Sequence, residues 1–411
     1  MLKFRIENYI SLTIFVFYFL GSLQAFNIFG MPIPWLSLSL GFGLIVLGFV
    51  LKYIQISLLD ISLSLIAIFI LLLGNLYFSI NVQGSFNIPS RMTTPYPIFL
   101  ILRYYELIIS LFLFMWLKGI YNHYDSSLAD LLETRFIRLA AVISVLAIIL
   151  LFIEQILGLP IIPRNRVGTG GGQQLLTFTG YGYRALGTFR EPSHLALWLG
   201  IPFFLSLKGE KYRSALLIGA TIILTGSLSS IVAMIFGFSL GAARNIGFYV
   251  FLVKRYFPYF ILIFVVSILV TLGSEESILH IVYERLTNIG SEGQTIGNRT
   301  YILDYILDND SLLILGSGLG NSNILLSNYF QNVNVMSFLS VFVNAYYSGG
   351  VLLLLLLSVV FLRAFISVSN SPWMLGLFAY VTLYCFTTIE VFSVYVAMML
   401  SICFGTSKRF S

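Results

Sequence analysis

The sequence predicts an all-α polytopic membrane protein, and three observations carry that prediction. Hydrophobic residues are 58% of the chain and charged residues only 10%, whereas a soluble domain carries roughly 25% charged residues. Mean hydropathy is +0.94 over 411 residues. The apolar runs are long and continuous rather than alternating, which is the pattern of spanning helices and not of a closed barrel.

Windows of about 20 apolar residues place the spans in order. The first covers Tyr9–Phe29. Its latter part is followed by Gly-Met-Pro-Ile-Pro instead of a small-residue cleavage site, so it reads as a span and not as a cleavable signal. Trp35–Leu51, Ile56–Ile80, Ile98–Leu117, Leu139–Leu157 and Ser193–Leu207 follow. Ala215–Thr225 and Leu228–Leu240, joined by Gly226-Ser227, are either two short spans or one bent or re-entrant unit. Pro258–Leu272 is the ninth, preceded by an interfacial piece at Ile246–Tyr256. Phe338–Phe361, Trp373–Ile389 and Val391–Phe404 complete a set of about twelve. The chain then divides into N-terminal helices over 1–137, a core over 138–366 and C-terminal helices over 367–411. The core carries two sizeable outer loops, 158–192 and 273–337.

Charge sets the orientation. With a cytoplasmic N-terminus, Lys3, Lys52, Lys118, Lys208, Lys211, Lys254 and Lys408 all fall inside, and both termini are cytoplasmic. The outside set is arginine alone: Arg91, Arg164, Arg166, Arg184, Arg190, Arg285 and Arg299. Arginine offers a rigid fork of donors that matches phosphate oxygens, whereas lysine is a point charge. The basic residues are scattered between spans, so the net charge of +6 is no nucleic-acid signature. Cys385 and Cys403 lie in apolar runs and carry no redox signal.

Chemistry concentrates in Tyr181–His194, where a polar loop meets a membrane helix with no neutral spacer. Arg184, Arg190, Glu191 and His194 are costly at that depth, which marks a functional site. Pro192 suits the first helical position, because its missing N–H would be unpaired there anyway. A helix N-terminus beside arginines favours an anion. The glycine-rich run from Arg164 to Gln174 is a second, weaker anion signal. In the later loop, Ile278–Ile289 is amphipathic. A helix starting near Asn298 would put Arg299, Tyr301 and Asp304–Tyr305 on one face. Gly316–Gly320 lacks the strand and Lys-Ser/Thr tail of a nucleotide loop and reads as a tight turn. Within the spans, Arg103 and Glu106 share a helical face at i,i+3. Asp60, Glu154 and Glu390 lie near span ends, and such carboxylates keep a proton-coupled transporter as an alternative.

The stretch Arg184-Ala-Leu-Gly-Thr-Phe-Arg-Glu-Pro-Ser193 resembles a signature of the O-antigen polymerase and ligase superfamily of bacterial membrane proteins. Leu224–Ser230 resembles that family's serine-rich break. Asn298–Tyr301 followed by Leu315–Gly320 resembles its second loop, and Asn344 with Gly349-Gly350 resembles its late span. The resemblance covers about Leu139 to Phe361. It implies a glycosyltransferase of the GT-C kind in the bacterial inner membrane. The donor would be a glycan on undecaprenyl diphosphate, with flippase and chain-length regulator proteins as partners. Ligases carry a histidine before the late span, where Ser337 stands here, and none of His123, His194 and His280 fits. That favours polymerase over ligase; a flippase of the same lipid-linked sugars is the other alternative.

The chemistry assigns roles. Arg190 and Arg299 would stabilise the departing diphosphate, with Arg184 and Arg166 in support and Arg164 and Arg285 contacting substrate. Glu191 is the first candidate base and His194 the second, with Ser193 beside them. Tyr181, Tyr183, Tyr301 and Tyr305 offer stacking surfaces for sugars. No cluster has metal-ligand spacing, and no metal or cofactor is expected.

Overall fold

The computed structural model describes residues 2–28, 31–81, 95–124, 126–156, 159, 162, 184–189, 191–244, 314–321, 324, 340–386 and 394–406. Helix dominates these residues. α1 (Leu2–Ile14) runs through a π-helical turn at Phe15–Phe19 into a 3-10 turn at Leu20–Ser22. A small hairpin follows, Asn27–Ile28 (β1) against Met31–Pro32 (β2), with Ile28 opposite Met31. Then come α2 (Ile33–Val50), α3 (Leu58–Asn81), α4 (Tyr96–His123) and α5 (Ser126–Leu150), the last prolonged by a π-helical stretch at Leu151–Ile156. α6 is Pro192–Lys208, α7 Tyr212–Leu224 and α8 Leu228–Ala243. α9 (Val341–Val368), α10 (Pro372–Cys385) and α11 (Val394–Thr406) complete the set.

Among the described residues, five helices are long and apolar enough to cross a membrane: α2, α3, α4, α5 and α9. The protein is an all-α membrane protein. α7, α8, α10 and α11 are apolar but short. The expected seventh and eighth spans are two separate helices, turned at Gly226 with φ 57°. The expected ninth span, the interfacial piece at Ile246–Tyr256 and the amphipathic stretch Ile278–Ile289 lie outside the described residues.

Several boundaries differ from the apolar windows; α4 runs past Leu117 to His123 and α9 past Phe361 to Val368. The first helical run begins at Leu2 and ends at Ser22, and the hairpin takes up the chain that follows. α5 begins at Ser126, well before Leu139, because its early turns are amphipathic. Leu128, Ala129, Leu132 and Phe136 recur at helical spacing and are buried, while polar residues between them keep the stretch below an apolar threshold.

α6 is the axis of the bundle. Every residue from Leu195 to Leu207 is buried, as expected of a helix apolar on all sides. Pro202 sits in its interior and cannot donate to the carbonyl four residues back, that of Trp198. The Tyr18 hydroxyl supplies the missing donor to Trp198 O at 2.8 Å. α10 lies antiparallel to α6, with Tyr380 donating to Ala196 O at 2.8 Å and Tyr384 to Ser193 O at 2.7 Å. α8 packs on α10 backbone to backbone. A Cβ on Gly237 would lie 2.5 Å from Gly376 O, so the close approach requires glycine there, a small-residue interface suited to lipid.

Among the described residues, the lysines gather at one end. Lys118 at the end of α4 bonds Asp60 at the start of α3 at 2.6 Å. Lys208 at the end of α6 bonds Glu133 early in α5 at 2.6 Å, and Tyr121 donates to the same carboxylate oxygen at 3.1 Å. Lys211 donates to Thr134 at 2.7 Å. At this lysine end, burial and desolvation hold the Lys211 ammonium below its ordinary pKa, with Arg138 adding to the effect.

Candidate functional site

The site is built where α6 starts. Glu191 is the N-cap in extended conformation and Pro192 the first helical residue, as the sequence predicts. Glu191 O accepts from His194 N at 3.1 Å. The preceding segment, 184–189, is tied on both sides. Ala25 N donates to Thr188 O at 2.9 Å, and Thr188 Oγ1 donates to Ser22 O at 2.8 Å, which fix it to the end of the first helix. Ala185 N donates to Leu224 O at 2.8 Å and Arg184 Nε to Thr225 O at 2.7 Å.

That last pair gives Arg184 a definite role. The final carbonyls of α7 have no intrahelical donor, and the negative end of the helix dipole lies there. Arg184, buried at 5% exposure, caps that end with its charged guanidinium. The sequence placed Arg184 among groups that touch substrate; the structure places it beneath the surface, binding the first motif to the second.

The turn from α7 to α8 supplies serines. The Ser227 and Ser230 hydroxyls lie 2.7 Å apart, and Ser230 lies 2.8 Å from the Tyr384 hydroxyl. Tyr384 has one proton and the Ser193 carbonyl can only accept, so Tyr384 donates to Ser193 O at 2.7 Å. Arg184 is within electrostatic reach of that phenol. Three helix ends, those of α6, α8 and α10, are thereby joined through one buried hydroxyl.

Above this buried layer the carboxylate and imidazole are open. Glu191 and His194 side chains are 46% and 45% exposed, with Glu191 Oε2 3.9 Å from His194 Nε2. His194 Nδ1 faces Gln24 Oε1 at 3.3 Å, and Ser193 Oγ donates to Glu191 Oε2 at 3.4 Å. In the segment before α6, Gly187 lies against Ala147 of α5. The helical run of α5 continues to Ile156, about 14 Å further along.

The later motifs also meet. Gly316, Gly318 and Gly320 all have positive φ, which is the tight turn the sequence predicts. The turn packs on α9 at Gly349-Gly350. Gly350 has φ 63° and ψ −162°, so the i to i−4 ladder cannot run across it. Tyr347 O and Ser348 O accept instead from Ser317 N at 2.6 Å and Gly318 N at 2.9 Å. Asn321 donates to Asn75 Oδ1 at 2.7 Å and accepts from the Tyr96 hydroxyl, and Asn75 donates to the Tyr104 hydroxyl at 2.6 Å. Nearby, Arg103 and Glu106 form the expected i,i+3 ion pair at 2.8 Å.

Of the sequence-predicted site residues, the structure brings together Arg184, Glu191, Ser193 and His194. Arg164, Arg166, Arg190, Arg285, Arg299 and Tyr301 lie outside the described residues, as do Tyr181, Tyr183, Tyr305 and Glu390. Sequence reasoning missed Tyr384, Gln24, Asn75 and Asn321. Each joins the network through contacts distant in the chain, and no local spacing marks them. Asp60 is committed to Lys118, and Glu154 is buried and accepts from Ile162 N at 2.8 Å. Both therefore have structural partners, which weakens their use as proton carriers in a transporter.

Fold and site define a polytopic all-α membrane protein with a carboxylate- and serine-bearing junction where α6, α7, α8 and α10 meet. Compared with protein-family models, curated proteins and solved structures, the chain matches none of them.

Proposed function

We propose that the protein polymerises undecaprenyl-diphosphate-linked oligosaccharide repeat units at the outer face of a bacterial cytoplasmic membrane, into O-antigen, capsular or exopolysaccharide. The observation that supports this most is the junction of two motifs. The Arg184–Ser193 stretch and the Leu224–Ser230 break resemble successive motifs of one superfamily. They are held together here by Arg184, Ala185 and Tyr384.

The reaction follows from the groups at this junction. A sugar hydroxyl of the acceptor attacks the anomeric carbon of the donor glycan. Its proton passes to the Glu191 carboxylate, with His194 as the neighbouring relay. The bond from anomeric carbon to diphosphate oxygen breaks, and the electron pair leaves with undecaprenyl diphosphate. Arg190 and Arg299 supply positive charge to that leaving group. Arg184 acts as a positioning residue, since it fixes the segment that carries Arg190 and Glu191. The lysine end faces the cytoplasm in this reading, and both termini lie on that side. A flippase would deliver the donor, and a chain-length regulator would set product size.

Reconstitution of the purified protein into liposomes with lipid-linked repeat units tests the reading. Lengthening of the glycan, lost in Arg190→Gln and Arg299→Gln while both variants still insert, is the expected result. Movement of substrate between leaflets without lengthening would establish a flippase instead. Full lengthening in both variants would overturn the assignment of the arginines.

A further inference from the structure

A cavity of about 220 Å³ lies between α3, α4, α9 and α11, toward the lysine end and away from Arg184. Its walls are hydrocarbon: Leu63, Ala67, Leu353, Leu357, Ala397 and Leu400. An apolar cavity of this kind does not hold water, and in a bilayer the available filler is lipid chain. Leu59 and Val359, both on the lining, are exposed, so the slot opens sideways toward the membrane. Along the helices it runs from Asp60 to Ala67 on α3 and from Leu353 to Arg363 on α9, roughly 10–15 Å.

The mouth at the lysine end carries two cations and one carboxylate. Lys118 is held by Asp60 at 2.6 Å and rests over the rings of Phe114 and Phe404, 5.6 and 5.1 Å from their centroids. Arg363 lines the same mouth, is exposed, and forms no ion pair among the described residues. Asp60 is neutralised by Lys118, so the net charge presented is that of one guanidinium. A planar donor fork at a membrane surface matches a phosphodiester.

We propose that this slot is a binding site for an anionic glycerophospholipid, with one acyl chain between the four helices and the phosphate on Arg363. The proposal is independent of the polymerase reading. Purified protein in nanodiscs of mixed phosphatidylglycerol and phosphatidylcholine is released into the gas phase, and native mass spectrometry identifies the retained lipid. Wild type keeps phosphatidylglycerol in preference. Arg363→Gln, a surface change, lowers that preference about fivefold, the effect of one basic residue at a membrane surface. Ala397→Phe, which fills the slot, loses retained lipid of both headgroups while circular dichroism stays helical. An unchanged preference in Arg363→Gln, retention of a polyprenyl lipid in place of phospholipid, or no retained lipid in wild type would each overturn the proposal.

Discussion

Replacing Gly350 with alanine probes how the later motifs hold one another. The residue has φ 63° and ψ −162°, a region essentially reserved for glycine, and an L side chain there costs about 1–3 kcal/mol. A Cβ would also lie 2.1 Å from Ile314 O, which the loop backbone must move to avoid. Moving the loop breaks the bonds from Ser317 N, Gly318 N and Ser317 Oγ to Tyr347 O and Ser348 O, each worth about 1 kcal/mol. The total is about 4–6 kcal/mol. In a chain this long, that lowers the midpoint of thermal unfolding by about 5–7 °C. The protein carries its own probe, because Cys385 and Cys403 are buried and neither is in a disulfide. A thiol-reactive dye in detergent becomes fluorescent only as they are exposed. Gly43→Ala is the matched control: a Cβ at Gly43 meets nothing within 4 Å, and the change should stabilise the helix by up to about 1 kcal/mol. If Gly350→Ala melts with Gly43→Ala, at or above wild type, the account of the kink is wrong.

Tyr384→Phe removes the hydroxyl joining Ser193 to Ser230 and should cost about 1–2 kcal/mol, read by the same melt. It should also lower the turnover number more than it raises KM in the lengthening assay. Glu191 makes no side-chain cap bond, so Glu191→Gln should leave the melt unchanged and reduce turnover by roughly 10²- to 10⁴-fold. Lys208→Met and Glu133→Gln each strand a partner in a mostly buried pair and should each cost about 2–4 kcal/mol. In a double-mutant cycle, the combined variant should be less destabilised than the sum of the two.

What the sequence made legible was local. Pro192 as the first residue of α6, the Arg103–Glu106 pair and the glycine turn at Gly316–Gly320 each depend on spacings of a few residues, and each stands in the structure. The apolar runs located the helices but not their ends, because the amphipathic opening of α5 carries no continuous hydrophobic signal. The π-helical stretches at Phe15–Phe19 and Leu151–Ile156 have no composition that distinguishes them from ordinary helix. Arg184 was legible as important, yet its task was not. Its partner is the carbonyl of Thr225, a group every residue carries, so only the packing of α7 reveals it. Tyr384 was illegible for the same reason, being joined to Ser193 across 191 positions of chain.

The shortness of α7, α8 and α10 has a consequence for the surrounding bilayer. At 13, 16 and 14 residues they reach about 20, 24 and 21 Å, against a hydrocarbon thickness near 30 Å. Such hydrophobic mismatch is relieved by local thinning of the bilayer. On the polymerase reading proposed above, such thinning would bring a lipid-borne phosphate toward the start of α6 while its tail stays in oil.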